Sequence, residues 1–411
     1  MTLRIPSFVR RIPRGRMLEL AVVVFLWQAS LGIFMLTLVQ NYLPQKVDAS
    51  AALPGYALAS YSLARFLWQM PAGWLADRFG RRPVLAIGIA VGIPVLAAMM
   101  LFPSAHLFLA FSGLYGLAAA TMWPAFLAHV GDTNEPEARG RVMYWLNLGQ
   151  MLGLGAGVVV GMLLGDFVSY TAVFVACLAL NGVALAVALR PADAPRVAHA
   201  RRKIERPHIS SFLKIAKPGV LILGGIILFL SLGIAVFTPT VGSYVHDFLH
   251  VQMSEMALLL ILPAIVGGYF AVRFSRVSDR FGRQIPLFIG LGVTALSLFA
   301  LTLTRSPFIV VNLVVLAGLA YAVSVPAWCA AALDATQVHS RGLLLGALAT
   351  VQGLGGAVGQ AAGGRVSEEY GPVAPFKFAA IFLGVAMLLT LLYVQHLRMK
   401  GDPLGLPAED G

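Results

Sequence analysis

Apolar residues fill this chain in long runs, and its charges gather in the short stretches between them. A run of roughly 20 mostly apolar residues is long enough to cross a bilayer as a helix, and twelve such runs occur. In the first half they predict helices near residues 19–42, 55–75, 83–102, 106–130, 142–165 and 168–189. In the second half they predict helices near 219–240, 255–274, 285–304, 307–332, 342–364 and 375–396. The expected class is an all-α membrane protein of twelve spans, six to each half.

The two halves are diverged copies. Asp77, Arg78, Phe79, Gly80 and Arg81 recur 202 residues later as Asp279, Arg280, Phe281, Gly282 and Arg283. The displacement holds without slippage: Gly116 maps to Gly318, Pro124 to Pro326, Asp132 to Asp334, and Gln150 to Gln352. Gly153, Gly157 and Gly161 likewise map to Gly355, Gly359 and Gly363. Two fused bundles with matched polar hinges suit a machine that opens alternately to two sides.

Composition agrees. The chain is 59% hydrophobic and only 12% charged, with a mean hydropathy of +0.82, whereas soluble domains carry about 25% charged residues. Placing both termini and the loops after even-numbered spans in the cytoplasm puts 25 of the 30 Lys and Arg residues there. Lys46, Arg305, Arg365 and Lys377 fall outside and Arg65 lies within a span, a bias that predicts cytoplasmic ends. The net charge of +12 follows from basic loops beside the membrane, so nucleic acid is not an expected partner.

Residues 191–217 form a basic linker punctuated by Pro191, Pro195 and Pro207. It is expected to separate a bundle over 19–190 from a second over 218–396, with an arm at 1–18 and a tail at 397–411. The first apolar run exceeds the 7–15 residues of a signal-peptide core, so it is expected to remain as span one. Cys177 and Cys329 both fall in apolar runs and are expected as reduced packing residues. His246 and His250 alone do not make a metal site. The absence of H-E-x-x-H, G-x-S-x-G or a phosphate-binding loop gives no support for an enzyme.

Gly73-Trp74-Leu75-Ala76-Asp77-Arg78-Phe79-Gly80-Arg81-Arg82 occupies the turn between spans two and three. It resembles the G-x-L-x-D-R-x-G-R-R loop of the major facilitator superfamily at every specified position, and Ser275–Gln284 resembles the degenerate second copy usual there. The resemblance implies two pseudo-symmetric six-helix bundles and transport by alternating access. It also implies a conformational latch drawn from Gly73, Asp77, Arg78, Gly80, Arg81 and Asp132, with Asp279, Arg280, Gly282, Arg283 and Asp334 as counterparts. Gly80 would allow a tight reversal, and Asp77 could face the N-terminus of span eleven.

Arg65 lies mid-span, where an unpaired charge is expensive. Tyr61, Arg65 and Gln69 are spaced four apart and share a helix face. Arg65 either holds an anionic or strongly polar substrate group or braces neighbouring helices. No carboxylate lies mid-span; many exporters of this superfamily carry one there. The arginine of relatives in span four is here Ser112, and span five lacks their proline-glycine motif. Glu19 is left as either a coupling acid or an interfacial charge.

Spans one, four, seven and ten line the transport path in relatives. The candidate substrate contacts are therefore Gln28, Tyr115, Trp123 and Tyr321, together with Tyr61, Arg65, Gln69, Gln150 and Gln352. Small residues at four-residue spacing in spans five and eleven would let helices touch closely. The resemblance implies that these ladders form a moving interface between the halves. The expectation is a monomeric multi-pass transporter in the cell membrane, without cofactor or metal. It would export a lipophilic or amphipathic small molecule, coupled to a proton or sodium gradient. Uptake or exchange of an organic anion held by Arg65 is the alternative, and a non-transporting sensor or scaffold is the reading from another class.

Overall fold

In a computed structural model, residues 16–47, 50–122, 136–190, 218–261, 284–334 and 341–399 are described. They are helical with short connections and contain no strand, as lipid requires of backbone groups that have no water to bond. Among the described residues, six helices are long and apolar enough to cross a membrane, and three apolar helices are shorter.

The first half contributes Arg16–Gly32 continued by Ile33–Tyr42, then Leu53–Phe79, Arg81–Leu101, Ala105–Ala120, Pro136–Phe167 and Tyr170–Leu189. These are spans one to six. The second half contributes Pro218–Phe237 with its extension to Phe248, residues 253–261, Gln284–Leu301, Pro307–Asp334, Arg341–Tyr370 and Ala374–Met399, which are spans seven to twelve. Local signals explain several boundaries. Ser169 caps span six by accepting a bond from the Ala172 amide at 3.1 Å, satisfying one of the four free N–H groups of a helix start. Gly80, at φ +93°, divides span two from span three, a backbone conformation that glycine adopts without steric penalty.

Span one departs from α-helical winding over Ile33–Tyr42, and span seven does so over Tyr244–Phe248; both stretches are π-helical. Several hydroxyls inside spans are absorbed by their own helices. Ser112, Ser231, Thr294 and Thr390 each donate to the carbonyl four residues earlier at 2.7–2.9 Å, which satisfies these hydroxyls without water.

The described residues fall into two compact units, one before and one after residue 202. In unit 1, span one packs on spans five and six, while span three packs on four and six. Unit 2 repeats the plan: span seven packs on eleven and twelve, and span nine on ten and twelve. The internal repeat is thus a repeat of packing as well as of sequence.

The glycine ladders serve this packing within each unit. A Cβ at Gly153 or Gly157 of span five would overlap the Phe25 or Ala29 carbonyl oxygen of span one. A Cβ at Gly363 of span eleven would overlap the Val236 carbonyl of span seven, and one at Gly359 would lie 2.7 Å from the Ala235 Cβ. Each ladder therefore seats two helices of its own unit backbone to backbone.

Candidate functional site

Arg65 projects from span two and is half-buried, as is Gln69 one turn further on. Tyr61, one turn earlier, is only 1% exposed. Its hydroxyl lies within electrostatic reach of the Arg65 guanidinium but makes no hydrogen bond of good geometry. No carboxylate among the described residues lies within ion-pair distance of Arg65. A half-buried guanidinium without a counter-ion retains donor capacity for an anionic or polar group, and its planar fork favours bidentate contacts.

Tyr115, also expected to contact substrate, is fully buried in the core of unit 1. It stacks on Trp27 with ring centroids 5.5 Å apart, meets Phe34 at 4.8 Å and Tyr61 at 6.1 Å. Tyr61 and Tyr115 therefore form a solid aromatic core rather than the wall of a pocket. The backbone carbonyl of Tyr61 lies directly over Gly116, leaving no room there for a Cβ. Gln28 and Gln150 are half-buried on spans one and five, whereas Gln352, the counterpart of Gln150, is exposed. Trp123 lies outside the described residues.

The signature turn is partly described. Arg78 lies over the Trp74 ring at 5.2 Å and over the Phe79 ring at 5.5 Å. These exposed cation–π contacts are worth about 0.5–1 kcal/mol each. Gly73, Asp77 and Arg81 lie in the helices flanking Gly80, and Asp334 ends span ten. Asp132, Asp279, Arg280, Gly282 and Arg283 lie outside the described residues.

Two features escaped sequence reasoning. Arg82, the last residue of the motif, reaches the end of span six: its Nε donates to the Ala188 carbonyl at 2.7 Å and its Nη2 to the Val187 carbonyl at 3.4 Å. The same Nη2 lies 3.9 Å from Glu19 of span one. One cation thereby caps the orphan carbonyls of a helix C-terminus and ties together three spans. Arg82→Ala is expected to cost about 1–3 kcal/mol, read as a lower melting temperature of the purified protein. Glu19→Gln should cost less, since that pair is partly solvated; equal melting of Arg82→Ala and wild type would refute the cap.

The second feature is a buried polar knot in unit 1. Asn181 Nδ2 donates to Ser30 Oγ at 2.6 Å and to the Cys177 carbonyl at 2.8 Å, and Ser30 Oγ lies 3.4 Å from the Tyr115 hydroxyl. The knot joins spans one, four and six. It was invisible in sequence because its two cross-span contacts join residues 85 and 151 positions apart.

Unit 2 contains a hollow of about 320 Å³ walled by spans seven, eight, nine, ten and twelve. Its wall is almost wholly apolar and includes Phe237, Val310, Ala317, Tyr321 and Phe376. Thr294 and Tyr244 also reach it, but their hydroxyls donate to the Gly290 and Leu301 carbonyls, each at 2.7 Å. A space of this size is within the range of small-molecule sites. Among the described residues no group of three His, Cys, Asp or Glu side chains is placed to hold a metal.

Against known proteins, a model of the Major Facilitator Superfamily matches residues 20–272 and 223–408. The chain is 23% identical over 383 residues to a proton-coupled antiporter flippase, LtaA, of Staphylococcus epidermidis, covering 92% of this chain and 94% of that one. It is 24% identical over 378 residues to LtaA of Staphylococcus saprophyticus, covering 89% and 92%. Among solved structures, the nucleoside transporter NupG superposes with a TM-score of 0.71 at 16% identity, over 94% of this chain and 100% of that one. A bacterial homologue of the human lysosomal transporter Spinster gives 0.69 at 16% identity, over 93% and 97%. With twelve apolar runs, a duplicated packing plan and a family match over nearly its whole length, the chain belongs to the Major Facilitator Superfamily.

Proposed function

We propose that this membrane transporter exports an amphipathic organic compound by alternating access and draws on a proton gradient. One observation carries the reading: the chain combines a half-buried guanidinium that lacks a carboxylate partner among the described residues, Arg65, with a hollow whose wall is almost wholly apolar. A sugar or bare ion has no use for the second, and a pure hydrocarbon has none for the first. An amphiphile carries both a polar group and a hydrocarbon part, and so has a use for each kind of contact.

Proton coupling is supported by the relatives described as proton-coupled antiporters. The customary mid-span carboxylate is missing from the sequence, and Glu19 is the acid nearest in character to a coupling group. Its pairing with Arg82 links its charge to the ends of spans one, three and six. The distribution of Lys and Arg supports a cytoplasmic position for both chain ends.

The test is flux in proteoliposomes. A fluorescent dye bearing a decyl chain should move against its gradient when a pH difference is imposed, and a sodium gradient should not replace it. Gain of a labelled carboxylate without dye movement would instead favour anion uptake through Arg65. Movement of neither compound would leave the sensor or scaffold reading.

A further inference from the structure

The two units differ at one place that their shared packing makes directly comparable. In unit 1, Phe108 and Tyr115 of span four are fully buried; both rings meet span one, and Tyr115 also meets Tyr61 of span two and Gly92 of span three. Displaced by 202 residues, their counterparts in span ten are Val310 and Ala317. Both line the hollow of unit 2. The surroundings are otherwise kept: Tyr42 meets Phe174 at 5.2 Å, and its counterpart Tyr244 meets Phe376 at 4.5 Å. Where unit 1 holds two large rings, unit 2 thus holds smaller side chains within the same frame. Tyr321, which stands where unit 1 has Ala119, joins the wall without refilling the space.

The hollow also has an entrance. Gly116 in unit 1 is roofed by the Tyr61 carbonyl, but no described residue comes within 4 Å of a Cβ position at its counterpart Gly318, which is exposed. Val314, one turn before it, is 37% exposed. Gly318 and Val314 both belong to the wall, so the space opens past span ten, a span expected to line the transport path. With the Thr294 and Tyr244 hydroxyls committed to backbone carbonyls, the interior rewards hydrocarbon and repels water. Its volume is roughly twice that of an apolar cavity that holds benzene, which suits one unbranched chain of about eight to twelve carbons.

We infer that the hollow formed by Val310, Ala317 and Gly318 in unit 2 is a binding site for a single hydrocarbon chain of the transported amphiphile. The inference rests on the transport reading above, and its test separates the two. Full-length protein in phosphatidylcholine nanodiscs is irradiated with a decyl glucoside carrying a diazirine at the chain end. Labelled peptides are then mapped by mass spectrometry.

Label should concentrate at residues 310–321. Ala317→Tyr, which restores the ring of the other unit, should reduce it about fivefold or more without reducing label at exposed Leu296 and Phe308. In proteoliposomes the same variant should slow the decyl dye at least about tenfold and spare the same dye without its chain. Should Ala317→Tyr fail to fold, Val310→Phe and Ala317→Leu probe the same space.

Label at 310–321 no stronger than at Leu296, or undiminished in a folded Ala317→Tyr, removes the site while wild-type dye flux still stands as evidence for transport. Lost label with both fluxes unchanged would make the occupant a resident lipid and overturn the assignment to cargo. Label without any wild-type flux would overturn the transport reading and the cargo assignment with it.

Discussion

Gly157→Leu should abolish folded protein, whereas Gly155→Leu, two residues away on the same helix, should be accepted. The difference lies in what each new side chain meets. At Gly157 even a Cβ overlaps the carbonyl oxygen, carbonyl carbon and Cα of Ala29, while at Gly155, which is exposed, no described residue lies within 4 Å. A flexible side chain could swing aside, but the backbone of span one cannot move without dragging its contacts on span six. Overpacking typically costs about 1–3 kcal/mol and more where the neighbour is rigid. That is a large share of a stability of about 5–15 kcal/mol. Unit 2 supplies an independent copy of the experiment: Gly363→Leu collides with Val236, whereas Gly356→Leu meets no described residue within 4 Å of its Cβ. Size-exclusion chromatography of detergent extracts, followed by thermal melting, reads both pairs. Equal yields and melting temperatures for Gly157→Leu and Gly155→Leu would refute the seating of span five on span one.

Arg65→Ala should cut transport by one to two orders of magnitude while leaving melting unchanged or slightly raised. A hydrogen bond to a charged group contributes about 1.5–3 kcal/mol, which corresponds to roughly ten- to hundredfold in an equilibrium constant. In the opposite direction, an arginine within a span carries an insertion penalty of about 2.5–3.5 kcal/mol. Removing a guanidinium that only awaits a substrate group therefore releases a burden. Removing one that braces helices would destabilise the protein. Arg65→Lys should restore only part of the flux, since an ammonium keeps the charge but loses the planar fork. A sharp fall in melting temperature with normal flux through the surviving protein would assign Arg65 a structural role.

The architecture was legible because lipid imposes it through composition. With no water to satisfy backbone groups, each apolar run must become a helix, and the run lengths sufficed to mark the spans. Twofold repetition was legible for a similar reason, since glycines, prolines and charges at hinges tolerate few alternatives and kept their 202-residue displacement. Gly80 was read as a reversal point, and its φ of +93° is the conformation that requires glycine.

What failed to show in sequence depends on which faces meet. Glycine spacing indicates that a helix is closely approached, but not by which neighbour. Only the fold assigned Gly153 and Gly157 to span one of the same unit. Tyr61 and Tyr115 look like pocket residues because aromatic rings on span faces are chemically suited to ligands. Three-dimensional packing enclosed them, since Trp27 and Phe34 arrive from the far side. Arg82 was legible as the last position of the signature turn, but its bonds to the Ala188 and Val187 carbonyls at the end of span six came only from the fold.

By itself, then, the sequence determined solvent, element type, number of spans and the twofold plan, because each follows from local composition and regular spacing. Tertiary structure alone decided where side-chain volume is present and where it is missing. The exchange of Tyr115 and Phe108 for Ala317 and Val310 reads as ordinary apolar drift along the chain. It becomes a hollow of about 320 Å³ only because five spans hold their positions around it, and close-packed interiors of this kind relax only partly when a ring is removed.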